Sequence, residues 1–268
     1  MSNIQNAFKN GKAFIGFLTG GDPNIEKTKE FVLEMIRAGA DLIEIGIPFS
    51  DPIAEGPVIQ EANYRALTAG ATVEKLFALV EDLRKETAVP IVFLTYINPV
   101  FRYGMTANTG GNRSGYETFF KRCGKTGLDG IIIPDLPFEE QQPVREAANK
   151  YGVDLISLIA PTSEARIKEI AKTATGFIYL VSSMGVTGVR SEITTDLTAI
   201  TSAVKSVTDT PVAIGFGIHA PEQAKQMSKI ADGVIVGSAI VKIIAQHGAD
   251  AAPFIYSYVK EMKEAVRG

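Results

Sequence analysis

Asp41-Leu42-Ile43-Glu44-Ile45-Gly46-Ile47-Pro48-Phe49-Ser50-Asp51-Pro52 is an apolar run that holds one carboxylate and breaks into glycine, proline and polar residues. This is the pattern of a buried strand ending in an exposed loop. Glu44 is the odd member. A carboxylate between Ile43 and Ile45 must leave water, and without a partner that costs several kcal/mol or raises its pKa. Such a group is poised for proton transfer near neutrality. The plainer alternative is a salt bridge to a neighbouring strand, but the other apolar runs carry no basic residue. Strand-end acids are where barrel enzymes keep their chemistry, which favours catalysis.

Working outward, the same unit recurs. Residues 13–19 read as a buried strand stopped by Gly20-Gly21-Asp22-Pro23, and Asn24 can cap a helix over 25–38 with Phe31, Val32, Met35 and Ile36 on one face. Gly39 ends that helix, and the strand with Glu44 follows. Helices are expected at 57–69 and 72–86, divided at Gly70, before a strand at 91–96. Further strands read at 130–134, 154–160, 177–181, 212–215 and 233–236, and helices at 139–150, 163–172 and from Asp196 to 207. Eight strand-then-helix units require one parallel sheet. A single (β/α)8 barrel over residues 1–268 is the natural end point, with a doubly wound open sheet as the alternative. No glycine-rich dinucleotide fingerprint follows the first strand, which counts against the open sheet. The stretch 105–115 is polar and glycine-rich with nothing to bury, and reads as a long exposed loop.

Composition narrows the function. The 268 residues are 46% hydrophobic and 21% charged, with a net charge of -3, and the basic residues are scattered. Nothing there attracts nucleic acid. One cysteine, Cys123, and two histidines, His219 and His247, make neither an intrachain disulfide nor a dense soft-ligand metal cluster, so no metal is expected. No apolar run approaches a membrane span and the N-terminus does not read as a signal, so a cytoplasmic location is expected.

In a barrel the loops after the strands share one face, where ligands bind. Three late loops are glycine-rich: residues 184–189, Gly215-Phe216-Gly217-Ile218, and Gly237-Ser238-Ala239-Ile240. Glycine lets backbone N–H groups approach an anion, and a helix starting at Ser238 would aim its positive end there. Together they read as a phosphate cradle; tight turns without a ligand are the alternative. Phe17, Tyr96, Tyr179 and Phe216 at strand ends can line an apolar pocket or be plain core. Glu55 is a second carboxylate within reach of Glu44, or else a solvated glutamate. His219 reads as a surface histidine, with a phosphate contact as the alternative.

The segments 44–52, Ala54-Glu55-Gly56-Pro57, Asn98-Pro99-Val100-Phe101, Pro134-Asp135-Leu136-Pro137, 182–188, Gly215-Phe216-Gly217 and Gly237-Ser238 occur in the order seen in the tryptophan synthase α subunit, which the chain resembles over nearly its whole length. The resemblance implies a TIM-barrel lyase that cleaves indole-3-glycerol phosphate to indole and glyceraldehyde 3-phosphate. It implies no metal or organic cofactor, and an α2β2 heterotetramer in which indole passes to a pyridoxal-phosphate β subunit. It makes Glu44 the general acid/base and puts Glu55 in the catalytic pair. The phosphate would lie against Gly188, Gly217, Gly237 and Ser238. Phe17, Leu94, Tyr96, Ile159, Tyr179 and Phe216 would surround the rest of the substrate, with Thr187 on the loop that closes over it. Two features depart from the family. Glu55 stands where an aspartate is usual, one methylene longer, and a misplacement of about 1 Å can cost on the order of 100-fold. The 105–115 stretch is longer than usual, in a loop resembling part of the β-subunit contact. Two other readings remain: a weakly active binding or activating subunit, and another phosphate-sugar isomerase or aldolase. No lysine lies inside a strand for a Schiff base, which disfavours the aldolase.

Overall fold

Alternating apolar runs and amphipathic segments fold as strands and helices in turn, and the computed structural model describes them over residues 3–105, 115–181, 196–215 and 217–268. In order they are β1 (Ala13–Thr19), α1 (Ile25–Arg37), β2 (Leu42–Gly46), α2 (Pro57–Thr68), α3 (Val73–Leu83), β3 (Ile91–Leu94), α4 (Ile97–Arg102) and α5 (Tyr116–Thr126). There follow β4 (Gly130–Ile132), α6 (Gln142–Lys150), β5 (Asp154–Ile159), α7 (Glu164–Lys172), β6 (Ile178–Val181) and α8 (Leu197–Lys205). The chain ends with β7 (Val212–Gly215), α9 (Pro221–Ile230), β8 (Gly233–Val236), α10 (Ser238–His247) and α11 (Ala252–Arg267). The strands pair in parallel in sequence order, and β8 pairs back onto β1, closing a (β/α)8 barrel. Closure leaves no strand edge to pair with another chain.

The helices start where polar side chains satisfy otherwise orphaned N–H groups. Asn24 accepts from Lys27 N–H at 2.8 Å, Asp196 from Ala199 N–H at 3.0 Å, and Thr72 and Ser163 do the same for α3 and α7. Each such cap contributes about 1 kcal/mol.

Side chains alternate across each strand, so one residue per strand fixes which face is which. Ile15, Leu42, Val92, Ile132, Ile156, Tyr179, Ala213 and Ile235 belong to one buried cluster with a member from every strand, inside the barrel. Their sequence neighbours Phe14, Ile43, Phe93, Ile131, Leu155, Ile178, Ile214 and Val234 belong to the larger cluster that also holds helix residues such as Phe31, Phe119 and Ile255.

Three elements were not anticipated. A 3-10 helix over Ile4–Phe8 places Ile4 and Ala7 in the inner cluster. Strand β3 stops at Leu94, and Tyr96 becomes the N-cap of α4. The last helix, α11, ties back through Lys263, whose Nζ donates to Lys12 O at 2.9 Å and to Asp41 Oδ2 at 2.5 Å. The stretch 105–115, predicted as an exposed loop, lies outside the described residues from 106 to 114. Its two flanks meet, because Gly115 N–H donates to Phe101 O at 2.7 Å.

Candidate active site

Two residues beyond these inner-cluster positions, toward the C-terminal ends of the strands, alternation again brings positions to the inside. Those positions are Phe17 on β1, Glu44 on β2, Leu94 on β3, Pro134 after β4, Leu158 on β5 and Gly237 after β8. All six line one cavity of about 710 Å³, measured to include its open mouth. Glu55, Tyr179, Gly217, Ile218 and Ser238 complete much of the wall. The site therefore lies at the C-terminal side of the barrel core, with the Glu44 carboxylate two residues beyond the inward Leu42.

Glu44 is 1% exposed, and its Oε2 has no hydrogen-bond partner among the described residues. Burial, and secondarily the charge of Glu55, push its pKa up to about 8. A neutral carboxyl at pH 7 can donate a proton and take one back. Glu55 is 6% exposed and differs in its partners. The Asn63 amide on α2 donates to its Oε2 at 2.6 Å. Burial raises its pKa to about 7, while hydrogen bonds from Asn63 and the Tyr96 phenol oppose the rise. The same cavity thus holds two carboxyls that environment sets apart, the less solvated one keeping its proton to higher pH.

Aromatic walls fit because glycines stand beside them. A Cβ at Gly46 or Gly237 would come within 2.9 or 3.0 Å of the Phe17 ring, and one at Gly215 within 2.5 Å of the Tyr179 hydroxyl. Burial holds the Tyr179 phenol well above its ordinary pKa, with the charge of Glu44 a further cause. At the far end, Gly237 precedes the first turn of α10, whose leading N–H groups have no partner within the helix. The helix dipole favours an anion there.

Among the residues singled out from the sequence, Phe17, Glu44, Glu55, Leu94, Tyr179, Gly217, Gly237 and Ser238 share this cavity. Two do not line it. Ile159 packs in the strand-to-helix cluster, one residue out of phase with the inward Leu158. Tyr96 is buried behind the wall, and its hydroxyl accepts from Ile53 N–H at 3.1 Å and Ala54 N–H at 3.0 Å, holding the loop that carries Glu55. Thr187, Gly188 and Phe216 lie outside the described residues. Sequence reasoning missed Leu158, Pro134, Ile235 and Asn63. The first three sit at period-2 positions along their strands, a signal whose phase the apolar runs leave open, whereas only the fold brings Asn63 to Glu55. Among the described residues no three of His, Cys, Asp or Glu are grouped to hold a metal ion.

With this geometry in view, the chain matches the family model of the tryptophan synthase alpha chain over residues 4–267. It is 50% identical over 266 residues to the tryptophan synthase alpha chain of Lacticaseibacillus casei, covering 99% of this chain and 96% of the relative. It is similar to solved structures too. One is tryptophan synthase subunit alpha from Legionella pneumophila, with TM-score 0.85, 32% identity and coverage of 99% and 98%. Another is from the tryptophan synthase α2β2 complex of Pyrococcus furiosus, with TM-score 0.83, 36% identity and coverage of 95% and 99%.

Proposed function

Because the chain belongs to the tryptophan synthase alpha chain family, a lyase acting on indole-3-glycerol phosphate, we infer that its cavity performs the cleavage with Glu44 and Glu55 as the working carboxyls. The enzyme splits its substrate into indole and glyceraldehyde 3-phosphate in tryptophan biosynthesis, in complex with a β subunit that receives the indole.

Retro-aldol cleavage needs a proton at the indole C3 and the removal of one from the glycerol hydroxyl. In our reading Glu44, protonated at neutral pH, supplies the first and, as carboxylate, takes the second. Glu55, ionised more readily, accepts a hydrogen bond from the indole N–H and steadies the charge that develops on the ring. Phe17, Leu94, Leu158 and Tyr179 hold the indole and glycerol parts. The phosphate sits against Gly217, Gly237 and Ser238, with Gly188 and Thr187 assigned to the same site from the sequence. Tyr96 acts behind the wall, on Glu55 and its loop. The observation that carries this reading is Glu44 itself: a carboxyl 1% exposed, with an oxygen that no described residue satisfies, on the wall of a cavity at the C-terminal ends of the barrel strands. We read the whole chain as one domain and place it in the cytoplasm, where a biosynthetic enzyme for a phosphorylated intermediate works. The direct test is release of indole and glyceraldehyde 3-phosphate from indole-3-glycerol phosphate by the purified chain. Release of neither, alone or with a β subunit, contradicts the reading.

A further inference from the structure

We propose that His219 is a positioning residue for the phosphate end of the cavity, acting through the carbonyl of Gly217. Its Nδ1 lies 2.9 Å from Gly217 O. A carbonyl oxygen only accepts, so Nδ1 carries the hydrogen, which fixes the ring's tautomer when it is neutral. Gly217 has φ of +81°, a conformation that side-chain-bearing residues rarely adopt, and both Gly217 and Ile218 line the cavity. In a planar trans peptide the carbonyl and the next N–H point in opposite directions. Holding Gly217 O on the histidine ring therefore sets the direction of Ile218 N–H. No acceptor among the described residues takes the N–H of Gly217 or of Ile218.

His219 is well placed to impose this orientation because it is itself fixed from two helices. Its N–H donates to Gln223 Oε1 on α9 at 3.0 Å, and its carbonyl accepts from the Tyr258 hydroxyl on α11 at 2.8 Å. The same Gln223 oxygen accepts from Ala220 N–H at 3.2 Å. The turn is thus braced from outside the barrel, and the imidazole passes that rigidity to the glycine facing the ligand. Half-buried, the ring serves neither as core nor as a free surface group.

The inference rests on the reading that the substrate phosphate seats at Gly217, Gly237 and Ser238. It is tested with His219→Ala, His219→Gln and His219→Asn in the full-length chain, measuring the Kd of sn-glycerol 3-phosphate by calorimetry and KM and kcat for indole-3-glycerol phosphate. Asparagine places an amide N–H where Nδ1 stands, whereas glutamine's reaches the Nε2 position. Loss of one neutral hydrogen bond corresponds to about three- to tenfold. Alanine and glutamine should weaken glycerol 3-phosphate and raise KM by that factor with kcat within about twofold, and asparagine should restore the parent values. Equal binding by all three variants, or an asparagine variant as impaired as alanine, overturns the role of His219. A parent crystal soaked with glycerol 3-phosphate separates the two readings. Phosphate found away from Gly217 and Ser238 overturns the cradle itself, whereas phosphate found there with unaffected variants overturns only His219.

Discussion

The side-chain amide of Asn63 donates to Oε2 of Glu55 at 2.6 Å, and both residues are buried. Glu44, across the same cavity, has no such donor on its Oε2 among the described residues. Hydrogen bonds from Asn63 and Tyr96, with the deeper burial of Glu44, set the two carboxyls apart. Cleavage in this scheme needs Glu55 ionised and Glu44 protonated, so kcat/KM should peak between about pH 7 and about pH 8. Asn63→Ala removes a donor that lowers the Glu55 pKa. The acid limb should then move to higher pH by about one to two units, given roughly 1.5–3 kcal/mol for a hydrogen bond to a charged group and about 1.4 kcal/mol per unit. An acid limb that stays in place would mean that Glu55 does not control it.

Stability should carry the mark of the same carboxyls. Both have folded-state pKa values above the ordinary carboxylate value of 4.5, so the folded chain binds more protons than the unfolded one. Stability is then unaffected by them below about pH 4.5 and declines as pH rises, through about 7 for Glu55 and about 8 for Glu44. Glu44→Gln cannot ionise and escapes its share. Denaturant unfolding at pH 6 and pH 9 should show the variant gaining on the parent by a few kcal/mol between the two. A constant difference would show that Glu44 ionises freely in the folded protein.

Gly215→Ala should injure the site through packing. The added Cβ would meet Tyr179 Oη at 2.5 Å, Cε1 at 2.6 Å and Cζ at 2.7 Å, closer than real Cβ contacts allow. Tyr179 is buried and cannot swing away without opening the wall. Overpacking of this kind costs about 1–3 kcal/mol. A lowered Tm together with reduced cleavage is the expected pair of results, and a variant with parental Tm and activity would show that Tyr179 has room to move.

Excising residues 106–114 should leave the barrel intact. The flanks hold each other without the insert, through Gly115 N–H on Phe101 O and the edge-on contact of the Phe101 and Tyr116 rings at 5.7 Å. The excised sequence is Thr-Ala-Asn-Thr-Gly-Gly-Asn-Arg-Ser, with no large apolar side chain to lend a partner. Titration with the cognate β subunit should give unchanged or tighter association. A tenfold weakening, about 1.4 kcal/mol, would show that the insert makes favourable contacts.

How far the sequence could be read follows from the same residues. The barrel was legible because its strands are apolar on both faces and each is punctuated by glycine, proline or a capping side chain, as at Asn24 and Asp196. Glu44 was legible because a lone carboxylate in such a run must be special. Phase was harder. The run Leu155-Ile156-Ser157-Leu158-Ile159 is largely apolar on both faces, and only the inner cluster shows that Ile156 and Leu158 face inward while Ile159 faces the helices. Tyr96 was read as a pocket wall, but β3 ends before it and its phenol serves the loop at Ile53 and Ala54. Asn63 was invisible, because its partnership with Glu55 depends on how α2 lies against the barrel. The caps at both ends, Ile4–Phe8 and α11, gave weaker signals. The first is a single 3-10 turn, and the second follows α10 after only a few residues.

The measurement that bears most directly on the central claim is indole release from indole-3-glycerol phosphate by Glu44→Gln beside the parent, with glycerol 3-phosphate binding measured on both. Glutamine keeps the size of the side chain and abolishes proton transfer, and general acid–base catalysis contributes at least about 100-fold. The account predicts a loss of kcat of that size or greater, with glycerol 3-phosphate bound as tightly as by the parent. Turnover within a few-fold of the parent would contradict it.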